Sequence, residues 1–222
     1  MKNKKILFFI IFIILILISL FVIFNKRTSK VFKIGNNKTS QEIVEYVLNI
    51  NSYEANITVE VESNKNNNKY ILIQKFASPN ISSQEVLEPN NIAGVKIIND
   101  GQNLKVENSS LNLSTIYENY SYLGNNCLDL SSFIEDYKIQ NNSNFIEEEN
   151  QIIMYTESKM ENEYAKYKTL YIDKETYKPT KMEIKDISEK TTIYILYNKV
   201  EINSIDKDNI LAFRLYDKVD SI

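Results

Sequence analysis

The side chains best suited to catalysis are scarce in this chain. Of its 222 residues none is histidine and one, Cys127, is cysteine. Without histidine, Ser–His–Asp and Cys–His nucleophile activation are unavailable in their usual forms. His-ligated zinc is excluded as well, and one thiol cannot build a thiolate site. Cys127 also has no partner for an internal disulfide, so it reads as a partly buried free thiol. The four glycines, Gly35, Gly94, Gly101 and Gly124, stand too far apart for a phosphate-cradling loop.

Carboxylates are plentiful, and the densest run is Glu147-Glu148-Glu149. Consecutive residues do not converge on one substrate atom, so this run reads as a solvated turn. Asp206 and Asp208 lack the ligand spacing of a calcium loop around them. Tyr117, Tyr120 and Tyr122 cluster in a segment of irregular pattern, a composition that suits either packing around a helix or a protein interface. The expectation is a protein that is not an enzyme and carries no catalytic, metal or cofactor residues.

The elements that would position such surfaces begin with an apolar run. From Ile6 to Phe24 there are 19 residues, and only Ser19 is not strongly apolar. As a helix it spans roughly 28 Å, close to a bilayer's hydrocarbon thickness. It is longer than a signal-peptide core and lacks a small-residue cleavage site, so it reads as an uncleaved single-pass anchor. Ile6, Leu7, Phe8, Phe9, Ile14, Leu17, Leu20 and Phe24 are its membrane-facing candidates. Basic residues flank both ends, and the short basic tail is assigned to the cytoplasm with the large domain outside. The division is 1–24 tail and anchor, 25–38 linker, and 39–222 globular domain.

Residues 1–33 hold seven of the 26 Lys and Arg and none of the 29 Asp and Glu. The remainder has 19 bases against 29 acids, a net charge of −10. That balance argues against nucleic acid and anionic head groups as partners of the domain.

Thr39-Ser40-Gln41-Glu42 reads as a capping box, followed by Ile43, Val44, Val47 and Leu48 at helical spacing. Tyr53, Ala55, Ile57, Val59 and Val61 then alternate with Glu54, Asn56, Thr58, Glu60 and Glu62, which predicts a strand with one face buried and one wet. Further strands are expected over 70–76, 82–88, 95–98, 104–107, 151–157, 164–172, 180–187 and 191–202. Asn99-Asp100-Gly101 marks a hairpin turn. Residues 114–123 and 130–137 read as helical or irregular, with Asp129 or Ser131 as a cap for the second, and 141–144 as a loop. Short connections make neighbouring strands antiparallel. The predicted fold class is α+β, mostly β: a strongly curved antiparallel sheet with helices packed on its concave face, preceded by one transmembrane helix. Ala55, Ile57, Val59, Leu72, Val106 and Ile184 are the candidates for an apolar concave face.

Two stretches carry a family likeness. Ser83-Gln84-Glu85-Val86-Leu87-Glu88-Pro89, Ala93-Gly94 and Asn99-Asp100-Gly101-Gln102 resemble the first half of the LolA-like lipoprotein-carrier family. The run from Tyr171 through Asp173, Thr176 and Pro179 to Ile184 resembles its second half. Within that family Leu130-Ser131-Ser132-Phe133-Ile134-Glu135-Asp136-Tyr137 is similar to the clostridial spore-germination GerS lipoproteins and their membrane-anchored relatives. The resemblance implies an eleven-strand half-barrel on the outer side of the cytoplasmic membrane. It implies a non-catalytic partner or activator of a cell-wall (spore cortex) amidase; the alternative is a lipid or lipoprotein carrier or sensor using the apolar concave face. The chain departs from the lipoproteins in lacking a lipid-modified cysteine, since Cys127 lies far from the N-terminus.

Overall fold

The computed structural model describes residues 38–62, 67–108, 110–120 and 126–211. The described residues from Ser40 onward form one compact unit. Helix α1 (Ser40–Leu48) begins directly after Thr39, where the capping box places its start. The strands β1 (Ser52–Glu62), β2 (Asn67–Ala77), β3 (Ile81–Glu88), β4 (Val95–Asn99), β5 (Leu104–Asn108) and β6 (Leu113–Tyr117) follow. Helix α2 (Leu130–Ile139) separates them from β7 (Asn144–Glu147), β8 (Gln151–Glu157), β9 (Tyr167–Asp173), β10 (Pro179–Lys185) and β11 (Thr191–Ile202). A one-turn helix α3 (Lys207–Leu211) comes last.

The eleven strands of the described residues form one antiparallel sheet in the order β6-β5-β4-β3-β2-β1-β11-β10-β9-β8-β7. Each half is a meander of hairpins, and β1 with β11 joins them. Ala55 pairs with Val200, Ile57 with Tyr197 and Val59 with Ile195. A register shift after Asn56 keeps those apolar residues on one face. The order runs from β6 to β7 without pairing them, so the sheet is open.

One face carries the core. Ile43, Val44 and Val47 of α1 and Leu130, Phe133 and Ile134 of α2 pack with Ile57, Val59, Leu72, Met154, Leu170, Met182 and Ile195. Each such side chain contributes about 1.5–3 kcal/mol on burial. Helix α3 touches β2 and β3, and its buried Ile210 lies outside that cluster.

The expected fold class requires correction. It is mostly β and antiparallel, but no helix among the described residues is long and apolar enough to cross a membrane. The helices have nine, ten and five residues, against about 20 needed to span a bilayer. The expected membrane helix, with Ile6, Leu7, Phe8, Phe9, Ile14, Leu17, Leu20 and Phe24, lies outside the described residues. Locally, the segment expected to be helical or irregular from Ser114 contributes the edge strand β6, and the loop expected at 141–144 holds through Ser143, with the unexpected strand β7 starting at Asn144.

Two turns show why their sequences fold as they do. Gly101 sits at φ 91°, where a side chain is strained, and its N–H donates to Asn99 Oδ1 at 2.9 Å. Between β9 and β10, Asp173 Oδ1 accepts from Thr176 N at 2.7 Å and Thr176 Oγ1 at 2.6 Å. The Thr176 side-chain bond is the main reason the Asp173 carboxyl is held below its ordinary range. A depressed folded-state pKa means the stabilisation is present above the unfolded value, about 3.9, and is lost as pH falls through the folded one. Solvent screening limits it to about 1 kcal/mol. Asp173→Asn is therefore expected to lower stability at pH 7 and leave it near wild type at pH 2–3, as read by urea unfolding at both pH values; equal losses at both would remove the carboxylate explanation.

Candidate functional site

The side chains singled out for chemistry do not converge. Cys127 is half-buried, and burial pushes its thiol up; Asp129 adds to this and Lys168 opposes it. It therefore stays a neutral thiol at neutral pH, which is poor nucleophile chemistry. Glu147, Glu148 and Glu149 are exposed at the end of β7. Hydrogen bonds from Lys174 and Ser40 hold the Glu147 carboxyl below its usual range. Asp206 and Asp208 are exposed at the start of α3, and no group of three or more acids or thiols that could hold a metal occurs among the described residues. Tyr117 is exposed on β6, Tyr120 is half-buried, and Tyr122 lies outside the described residues.

Of the apolar-face candidates, Ala55, Ile57, Val59, Leu72 and Ile184 are buried in the cluster that α1 and α2 cover. Val106 is half-buried on β5, beyond that cluster. On the opposite face of β1, Glu54 and Glu60 form ion pairs with Lys75 and Lys69 at 3.3 and 3.1 Å. Thr58 of that face is buried and accepts from Asn198 Nδ2 at 2.9 Å.

Sequence reasoning missed a polar group inside the core. Lys168 Nζ donates to Asp136 Oδ2 at 2.7 Å and to Ser132 Oγ at 2.9 Å. The side chains of Lys168 and Asp136 are each 1% exposed. Asp136 Oδ1 also accepts from the Lys159 N–H at 3.1 Å. The available signal was positional: Lys168 shares the inward parity of Leu170 and Ile172 on β9. Nearby, Gln74 Nε2 donates to the Leu128 carbonyl at 3.2 Å and Gln84 Nε2 to Asp129 Oδ1 at 2.6 Å. Asp129 occupies the N-cap position of α2 without a side-chain cap bond. These bonds clip the segment before α2 onto β2 and β3.

The surface best suited to a partner is the β6 edge. Leu113 to Tyr117 are all exposed and none is charged. Leu111, Leu113, Ile116 and Tyr117 are 65%, 62%, 58% and 51% exposed. Tyr117 pairs with Leu104 and Leu113 with Asn108, on the face shared with Val106 and Ile97; Ile116 pairs with Lys105 on the other. The strand thus offers apolar groups on both faces and, among the described residues, one row of backbone groups without a strand beyond it. The opposite edge, β7, is guarded: Ile146 is followed by three glutamates, and Glu147 is tied to Lys174. Charged residues are the usual protection of an edge against strand addition, and β6 lacks them.

A family model described as sporulation protein YdcC-like matches residues 3–210. No curated protein matches the sequence. Among solved structures, an uncharacterized conserved protein from Thermus thermophilus is 12% identical with a TM-score of 0.50, over 78% of this chain and 92% of that one. This is a likeness of fold. The complex of the CwlD amidase with the GerS lipoprotein from Clostridioides difficile matches at 23% identity and a TM-score of 0.48, over 75% and 97% of the two chains. A LolA superfamily protein from Nitrosomonas europaea matches at 12% identity and a TM-score of 0.41, over 78% and 97%.

Proposed function

We propose that this chain, which belongs to the YdcC-like sporulation protein family, is a non-catalytic binding protein of the cell envelope whose partner docks on the β6 edge. The observation that carries this reading is the uncharged, wholly exposed strand Leu113–Tyr117 with apolar side chains on both faces. An extended segment of another protein added there would satisfy the open backbone row, and Leu113, Ile116 and Tyr117 would supply side-chain contacts. The partner class is a cell-wall amidase of the spore cortex, by the likeness of segment 130–137 to the GerS group. In this reading the domain works on the outer side of the cytoplasmic membrane.

The experiment is calorimetric titration of the full chain with a purified spore-cortex amidase, with amidase turnover measured alongside. Wild type is expected to bind and to change turnover. Leu113→Lys and Ile116→Lys are expected to weaken binding at least about tenfold while changing stability by no more than about 0.5 kcal/mol, since both positions are exposed. Absence of binding by wild type at saturating amidase would sink the proposal. Binding indifferent to both substitutions would remove β6 from it.

A further inference from the structure

The sheet face opposite the helices carries tyrosines across β8–β11. One row of the ladder runs Tyr155, Thr169, Glu183, Tyr194, and the adjacent row runs Ile153, Tyr171, Lys181, Leu196. Strand alternation turns these residues away from Met154, Leu170, Met182 and Ile195 of the core. The three rings are half-buried, whereas Ile153 and Thr169 between them are buried. Each ring is therefore partly covered by its neighbours and partly open to solvent. A recess of about 270 Å³ bounded by Tyr155, Glu157, Tyr167 and Lys185 extends the patch toward one end of these strands.

The charges beside the three rings stand mostly in opposite pairs. Lys181 Nζ lies 2.7 Å from Glu183 Oε1 and 4.0 Å above the Tyr171 ring. Lys166 pairs with Glu157 at 2.9 Å, and Lys69 with Glu60, which neighbours Tyr194, at 3.1 Å. A locally neutral face on a domain of net charge −10 gives an anion nothing to bind and much to repel it. A wholly apolar ligand would strip water from Lys181, Glu183 and the phenol hydroxyls without replacing their hydrogen bonds.

We propose that this face binds a neutral saccharide chain. A pyranose ring has an apolar C–H side that lies on an aromatic ring and equatorial hydroxyls that bond to carboxylate, ammonium and phenol groups at its rim. Tyr155 and Tyr194 are three strand spacings apart, about 14 Å, with Tyr171, one face of which Lys181 covers, between them one row over. That length accommodates an oligosaccharide of a few rings. The proposal goes beyond strand docking at β6 and uses a different surface, so either can fail alone.

The test is titration of the full chain with a neutral N-acetylglucosamine tetramer, followed by calorimetry and by tyrosine emission, which no tryptophan masks because the chain has none. Saturable binding is expected, weakened about tenfold by Tyr155→Ala or Tyr171→Ala, largely retained in Tyr171→Phe, and unchanged in Ile116→Lys. Absence of saturable binding by wild type overturns the proposal, as does binding that neither alanine variant alters. Loss of amidase binding in the alanine variants, with no saccharide bound by wild type, would reassign the face to a protein partner and overturn it too.

Discussion

Replacing Asp136 by alanine is expected to lower the stability of the domain by about 3–5 kcal/mol. The carboxylate meets Lys168 at 2.7 Å, and both side chains are 1% exposed. Its removal leaves an ammonium in the core with Ser132 as its one remaining side-chain acceptor among the described residues. It also strands the Lys159 N–H, which Asp136 Oδ1 now accepts. A stranded buried charge costs more than the pair contributes, because desolvation is already complete. A domain of this size would show a fall in Tm of roughly 10 °C. Lys168→Met alone is expected to cost a similar amount by stranding the carboxylate. The double variant Lys168→Met with Asp136→Leu should recover most of the loss, since no charge then remains to be buried. A single-variant cost within about 1 kcal/mol of wild type, by urea unfolding, would show that water reaches this pair in solution.

The second large effect is expected at Phe133. Its side chain is fully buried, it belongs to the core cluster, and its ring lies 6.0 Å from that of Tyr137. It is the largest apolar side chain that α2 commits to the sheet. Phe133→Ala should cost about 3–5 kcal/mol through lost transfer energy and a cavity that the sheet beneath cannot collapse to fill. Phe133→Leu should cost much less, since a branched aliphatic chain refills most of the volume. Phe133 and Lys168 hold the same helix, so Phe133→Ala combined with Lys168→Met is expected to depart from additivity by more than about 0.5 kcal/mol. Strict additivity in that cycle would mean that α2 docks at two independent points.

The legibility of the fold varied with how local its cause was. β1 was readable because Tyr53, Ala55, Ile57 and Val59 alternate cleanly, and the structure buries all four on one face. β6 was not, because Leu113, Ile116 and Tyr117 fall at spacings of three and four, a helical period. The structure explains the mismatch: β6 is an edge strand, and apolar groups occupy both of its faces. β7 has four residues, too few for alternation to declare itself. Lys168 falls within an expected strand, and its parity with the buried Leu170 and Ile172 is inward. Nothing in the sequence says that Asp136, 32 positions earlier on α2, would meet it.

The candidate surfaces divide in the same way. The lack of histidine and of a second cysteine was visible at once and removed whole classes of chemistry. The tyrosine rows were invisible, because Tyr155, Tyr171 and Tyr194 sit on three strands whose mutual register only the folded sheet sets.

By itself, then, the sequence determined the strand-rich antiparallel character, most strand positions, the turn at Gly101, and the lack of histidine- and thiolate-based nucleophile and zinc chemistry. These follow from side-chain types and from interactions within a few residues along the chain. The tertiary structure alone decided that β1 pairs with β11, that β6 and β7 become the two edges, and which of them is left without charge. It also decided that a lysine and an aspartate could be buried together. Those outcomes depend on register between segments up to about 150 residues apart, where packing of the whole core selects one alignment and no local pattern does.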